Sequence, residues 1–310
     1  MAKRLLVAVD DTDASRRAVR YVGFLAGLID DLHTTLLHVP PEATPFAADA
    51  APRGRPQDGS GLKPLEDAQA DASAAVLQPF HKMLEETGVR ADRIQAVSRP
   101  AKGGVAKTIL DYGYENRCDA IVAGRRGLSA IKTAFLGSVS AALFEHAFAL
   151  PIWIVGSETP NPRFLVAVDS SEGSLRAVEH VAQVFQGNAH LIFHLFHVIP
   201  SLTESCGIDF GHEPKRLERE GRRGVRHCID HFCAKATALF EAAGLRADQI
   251  DIEVTERLLN PGRGIVDEIE RGAYGTVVMG RRGMSRSFFT GSVSRYVMER
   301  TAETTLWLVP

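Results

Sequence analysis

Cysteine is scarce in this chain. There are four in 310 residues, Cys118, Cys206, Cys228 and Cys233, three of them in the second half. So uneven a set is not a disulfide framework and points to a reducing compartment. An excess of one charge is also lacking: 36 Lys and Arg stand against 38 Asp and Glu, a net charge of −2, with no long basic run. That excludes a protein built mainly to grip nucleic-acid phosphates. Long hydrophobic runs are missing as well. The apolar stretch around Leu150–Val155 falls far short of the roughly 20 residues that span a bilayer. The apolar run in MAKRLLVAVDD is five residues long and ends at Asp10 and Asp11, whereas a signal-peptide core needs about 7–15. The expected location is the cytoplasm. With 45% apolar and 24% charged residues, the composition is that of a globular protein and excludes disorder of the whole chain.

At roughly 150 residues per domain the length suits two domains, and the sequence repeats itself accordingly. RLLVAVD (Arg4–Asp10) recurs as RFLVAVD (Arg163–Asp169), and LLHVP (Leu36–Pro40) as LFHVIP (Leu195–Pro200), both at an offset of 159. AGRRG (Ala123–Gly127) recurs as MGRRG (Met279–Gly283) at 156, and GSVS (Gly137–Ser140) recurs as Gly291–Ser294 at 154. PIWIV (Pro151–Val155) matches TLWLV (Thr305–Val309). Matches in one order at so long a period mean duplicated domains, not a solenoid. The polar segment SETPNP (Ser157–Pro162) is the junction, giving domains 1–157 and 162–310.

Within each half, strand and helix patterns alternate. Leu5–Val9 reads as a buried strand. Thr12 or Asp13 can cap a helix whose Ala18, Val19, Val22, Leu25 and Ala26 keep the 3.6-residue period. Thr34–Val39 is a second strand, and residues 40–62, rich in Pro, Ala and Gly, read as a long mobile loop. Leu65–Thr87 is helical, with Pro79 expected to kink or break it. Ile94–Ser98, Ala120–Ala123 and Ile152–Val155 are further strands, separated by helices over Val105–Glu115 and Val139–Ala147. The second half repeats this order. Alternation of this kind predicts an α/β fold with a parallel sheet covered on both faces.

In open α/β sheets, ligands sit beyond the carboxyl ends of the strands, at the switch in strand order. The residues there are Asp10, Val39 and Gly124-Arg125-Arg126-Gly127, followed by Gly137, Ser138, Val139 and Ser140 opening the last helix. Glycines let the backbone approach a phosphate, and a helix N-terminus offers N–H groups and positive potential. Ser138 and Ser140 add hydroxyl donors, and Arg125 and Arg126 add charge. Asp10 repels phosphate but suits a ribose hydroxyl or an adenine amino group. Together these residues describe a nucleotide site. The alternative is that Gly124 and Gly127 form only a turn and Gly137-Ser138 only a helix cap.

The pattern G-x2-G-x9-G-S of Gly124, Gly127, Gly137 and Ser138 resembles the ATP-binding signature of the universal stress protein family. Val9-Asp10, His38-Val39 and the apolar fifth strand fit it too. The resemblance covers essentially the whole chain, as a tandem pair of domains. It implies, for each half, a Rossmann-like domain of the adenine nucleotide alpha hydrolase type, with a five-stranded parallel sheet of order 3-2-1-4-5. It also implies ATP, with or without Mg2+, held at adenine and ribose by Asp10 and the Val39 backbone, and at the phosphates by the glycine loop and Gly137-Ser138-Val139-Ser140. In the second half Asp169, Val198, Gly280, Arg281, Arg282, Gly283, Gly291, Ser292, Val293 and Ser294 take the corresponding places. Only seven residues separate Gly283 from Gly291, against nine in the first copy, so the second site is expected to bind differently, weakly, or to be only a turn. Slow ATP turnover at most is implied. No G-x4-G-K-[ST] loop occurs, Asp10–Ser15 is not an SGGxDS loop, and no base stands beside the phosphate residues. The expected role is a nucleotide-dependent sensor or regulator in the stress response, with ATP ordering the loop at 40–62 and an unidentified protein partner reading the change. The resemblance further implies that the halves pair through Ile152–Val155 and Leu306–Val309 as an intramolecular pseudo-dimer, which leaves room for a homodimer. Trp153 and Trp307 flank those strands and could equally be core.

Two other readings stay open. HCIDHFC holds His227, Cys228, His231 and Cys233, with Cys206 and His212 upstream. His227 and His231 share a helix face, but a zinc site needs three or four converging ligands, so no metal is expected, and these two histidines are the candidates for a metal-binding or redox-responsive protein. His190, His194 and His197 read as strand residues explained by packing. The last reading is a scaffold without nucleotide, which predicts a tolerated Gly124→Val.

Overall fold

The computed structural model describes residues 2–40, 62–125, 137–200, 229–257, 260–281 and 292–310. The chain divides into two compact units that part between Val155 and Gly156. In the first, β1 (Lys3–Val9), α1 (Asp13–Ala26), β2 (Leu32–His38), α2 (Leu62–Glu86), β3 (Ile94–Ser98), α3 (Val105–Glu115), β4 (Ala120–Gly124), α4 (Ser138–His146) and β5 (Ile152–Val155) follow in order. The strands pair in parallel in the order β3-β2-β1-β4-β5. Leu5, Leu6 and Val7 in β1 and Ile121 and Val122 in β4 are fully buried, as expected of strands covered on both faces. The helices pair off, α1 with α2 and α3 with α4.

Helix α1 starts where its sequence provides a cap: the Thr12 side chain accepts from the Ser15 N–H. Of the expected stripe, Ala18, Val19, Val22 and Leu25 are fully buried and Ala26 is half-buried. Of the two outcomes expected at Pro79, the break does not occur: α2 runs through it to Glu86. A proline inside a helix costs about 3 kcal/mol. The buried Leu77, Phe80 and Leu84 around it contribute about 1.5–3 kcal/mol each, enough to hold the helix on the sheet. Residues 41–61, where a mobile loop is expected, lie outside the described residues.

The second unit repeats the plan with β6 (Arg163–Val168), α5 (Glu172–Val184), β7 (Ile192–Pro200), α6 (described over 229–242), β8 (Ile250–Arg257), α7 (Pro261–Gly272), β9 (Thr276–Gly280), α8 (Ser292–Arg300) and β10 (Thr305–Val309). Its parallel order is β8-β7-β6-β9-β10, so each unit has the 3-2-1-4-5 topology. Its core is aromatic: Phe185 stacks on Trp307 at 5.7 Å and meets Phe164 edge-on at 4.8 Å. Trp153 and Trp307 are both fully buried. His190 precedes β7 instead of lying in it. Among the described residues, no helix is long and apolar enough to cross a membrane.

Candidate functional site

In the first unit a cleft of about 290 Å3 opens at the carboxyl ends of β1, β2 and β4. That is the lower end of the roughly 300–1,000 Å3 usual for small-molecule sites. Its walls are apolar (Ala8, Val9, Val39, Val105, Ile109, Ala123), and its polar groups are Asp10, Thr12, Ser15, His38 and Ser140. Gly124, Gly137 and Val139 complete it. Parallel register sets the placement: Val9 pairs with His38 and Ala8 with Ala123, so Asp10, Val39 and Gly124 leave three adjacent strands at one level.

Asp10 is fixed from both sides. The Ser15 hydroxyl accepts from the Asp10 N–H at 2.9 Å and donates to Oδ1 at 2.7 Å. The Thr12 hydroxyl donates to the same oxygen. A carboxylate held this way is a preorganised acceptor at the mouth of the cleft. Across from it, α4 starts just after Gly137, an N-cap residue with no side chain to offer the first N–H groups. The His38 Nδ1 is buried and has no hydrogen-bond partner among the described residues. Burial lowers the pKa of His38, and the nearby Asp10 charge opposes that shift only in part. The ring is therefore predominantly neutral at pH 7.

Three of the expected site residues also have structural partners. Gly124 is required for packing: a Cβ there would lie 2.0 Å from the Ala14 carbonyl oxygen. It lets the first turn of α1 sit on the end of β4. The Ser140 hydroxyl donates to the Gly124 carbonyl at 3.0 Å, which ties α4 to β4 and leaves no proton for a ligand. Arg125 is 3% exposed and does not line the cleft. Its carbonyl accepts from Arg17 at 2.8 Å. Ser138 is exposed at the helix start, while Arg126 and Gly127 lie outside the described residues.

The second unit rebuilds the same frame. The Asp169 N–H donates to the Ser174 hydroxyl at 3.0 Å, and that hydroxyl donates to Asp169 Oδ1 at 2.6 Å. Gly280 packs on the start of α5, where a Cβ would meet the Gly173 carbonyl carbon at 2.9 Å. The Ser294 hydroxyl donates to the Arg281 carbonyl at 3.2 Å, and Arg281 is 5% exposed. Val198 is buried, and Ser292 and Val293 open α8. Arg282, Gly283 and Gly291 lie outside the described residues. His197, the counterpart of His38, has its Nδ1 bonded to the Val168 carbonyl at 2.7 Å.

Sequence reasoning missed Ser15 and Ser174. The signal was there, as D-x-[ST]-x-x-S after the first strand of each half, Asp10–Ser15 and Asp169–Ser174. Of the metal or redox candidates, His231 and Cys233 lie among the described residues. His231 is exposed beside Lys235 in a different cavity, and Cys206, His212, His227 and Cys228 lie outside the described residues. Burial pushes the Cys233 thiol up, away from the thiolate that redox or ligand chemistry needs.

Comparison with known proteins agrees with this architecture. The model of the universal stress protein family matches residues 1–156 and again 160–310. The Mycobacterium tuberculosis universal stress protein Rv1996 is 25% identical over 181 residues, 56% of each chain. The chain thus spans about half the length of that relative. The Bacillus subtilis universal stress protein YxiE is 30% identical over 156 residues, covering 45% of this chain and 90% of the relative. Among solved structures, a universal stress protein from Archaeoglobus fulgidus DSM 4304 superposes with a TM-score of 0.63 over 99% of this chain and 97% of that one, at 19% identity. With its model matched twice, end to end, the chain belongs to the universal stress protein family.

Proposed function

We propose that the first unit binds an adenine nucleotide, ATP, in the cleft between Asp10 and the start of α4, and that the protein serves as a nucleotide-dependent sensor or regulator in the stress response. The observation that carries this reading is the cleft itself: a fixed carboxylate, a buried apolar wall and a glycine-capped helix N-terminus at the switch point. Adenine and ribose suit the apolar wall and Asp10, and phosphate suits α4. Among the described residues Asp10 is the sole carboxylate lining the cleft, so Mg2+ would be held there through the phosphates. ATP occupancy would favour the folded first unit, by about 4 kcal/mol at a thousandfold excess over Kd. A protein partner would read the occupied state.

Calorimetric titration of nucleotide-stripped protein with Mg-ATP tests this reading. One equivalent bound, weakened at least tenfold by Asp10→Ala and unaltered by Asp169→Ala, supports a single site in the first unit. Two equivalents, one lost with each variant, extend it to the second. No heat at several temperatures, together with no thermal shift, overturns it.

A further inference from the structure

The second unit holds a cluster that its nucleotide frame does not use. His194 on β7, Glu253 on β8 and Glu268 on α7 bring one ligand atom each within 4.8 Å of one another. The register explains how. His194 pairs with Asp251 and Phe196 with Glu253, so Asp251 and Glu253 rise from one face of β8 beside His194.

The His194 Nδ1 lies 2.8 Å from Asp251 Oδ2, so that carboxylate orients the ring and turns Nε2 toward the two glutamates. His194 is 8% exposed, and its Nε2 has no hydrogen-bond partner among the described residues. That nitrogen faces Glu253 Oε2 at 3.6 Å and Glu268 Oε1 at 4.0 Å. An imidazole nitrogen and two carboxylates converging on one point form a donor set that suits a shared cation. Both distances exceed the roughly 2.7–3.2 Å of an N–H···O bond. They approach the separation of about 3.4 Å between donors of a tetrahedral ion bound at about 2.1 Å. Glu268 is 5% exposed and accepts from the Tyr274 hydroxyl at 2.9 Å. Arg271 bridges Glu268 and Glu253 from the outer side, and Arg163 covers the Tyr274 ring. Three carboxylates against one directly paired guanidinium leave room for two positive charges.

The duplication supplies an internal contrast. In the first unit the corresponding places hold Thr35, Gln95, Val97 and Tyr112, none of which would build a cation site. The fold therefore does not require the cluster.

We propose that His194, Glu253 and Glu268 form a binding site for a divalent transition-metal ion of the zinc class, with Asp251 orienting the imidazole. A hydrogen-bonded carboxylate behind a ligating histidine fixes its tautomer and raises its basicity. Imidazole with two carboxylates suits Zn2+ and leaves a fourth position for a water or an outside ligand. The ion would clamp β7, β8 and α7 together.

The test uses the full, untagged chain, stripped with chelator, re-equilibrated with Zn2+ and read by elemental analysis, calorimetry and thermal melting. One equivalent of zinc and a raised Tm are expected, with the equivalent lost in His194→Gln. Asp251→Asn, at a side chain 69% exposed, leaves the fold intact and weakens binding about 10–100-fold. Cys233→Ser and His231→Gln keep the equivalent. No stoichiometric zinc in the wild type, undiminished zinc in His194→Gln, unchanged affinity in Asp251→Asn, or loss in Cys233→Ser or His231→Gln instead would each overturn the proposal.

Discussion

At the end of β1, Asp10 accepts hydrogen bonds from the hydroxyls of Thr12 and Ser15. At the end of β6, Asp169 accepts from the hydroxyl of Ser174 but from the backbone N–H of Ser171, and Ser170 takes a left-handed φ of 62°. The two loops reach the same end by different backbone paths. In both, the aspartate, the serine five residues on and the glycine ending the fourth strand hold the first helix against the sheet. These residues therefore have structural duties that survive whether or not a ligand is present. The differences tell more about function: the open His38 against the tied His197, and the acid–histidine cluster found, among the described residues, in the second unit alone.

The largest expected effect follows from the two glycines. A Cβ at Gly124 would lie 2.0 Å from a backbone oxygen, whereas at Gly280 the nearest atom is at 2.9 Å. Neither obstacle is a flexible side chain, but the first requires α1 to move bodily. Gly124→Ala should cost upward of about 3 kcal/mol and Gly280→Ala about 1 kcal/mol, the upper and lower ends for overpacking. Urea denaturation of the two variants measures the gap. Equal midpoints would show that the first unit's close approach relaxes cheaply. With the expected gap, Gly124→Val loses nucleotide binding through the fold itself and cannot separate a binding protein from a scaffold.

A smaller effect should be equal in the two halves. Ser15→Ala and Ser174→Ala each leave a buried N–H and a carboxylate oxygen short of a partner. Each should cost about 1–3 kcal/mol. If only one unit binds nucleotide, the stability losses will match while the affinity changes in Ser15→Ala alone. Unequal stability losses would mean that the two frames are not equivalent.

Most of the fold was legible in the sequence because the duplication marks every strand end. Ile94–Ser98, Val105–Glu115 and Ile152–Val155 occupy their expected bounds. The placement of Asp10, Val39, Gly137 and Ser140 around one cleft was legible too, since the residues after parallel strands converge at a switch point. What was hidden depends on side-chain direction. A sequence shows a glycine but not the Ala14 carbonyl that requires it. It shows Ser140 but not that its proton is given to Gly124. It shows Arg125 but not its burial. His194 read as packing because its partners Asp251, Glu253 and Glu268 lie 57 to 74 residues away, and only the pairing of β7 with β8 brings them together.

The smallest effect concerns the histidine pair. Burial lowers the pKa of both His38 and His197 below the usual 6.5. For His197 the Val168 carbonyl and the Asp169 charge pull the other way. The unfolded chain then binds more protons than the native one, so each ring's contribution is complete above pH 6.5 and is lost as pH falls from there toward the native pKa. His38→Gln and His197→Gln should both flatten the stability profile over that window. Nucleotide should separate the two rings. The His38 Nδ1 lies at the cleft without a partner among the described residues, so ATP should move its NMR titration curve. The His197 ring, bonded to Val168, should not respond to a ligand in the first unit. A shift of both resonances at one equivalent would place nucleotide in the second unit as well. A shift of neither, with heat still evolved, would put the ligand away from the ends of β2 and β7, and the contrast between the two histidines would then be one of packing alone.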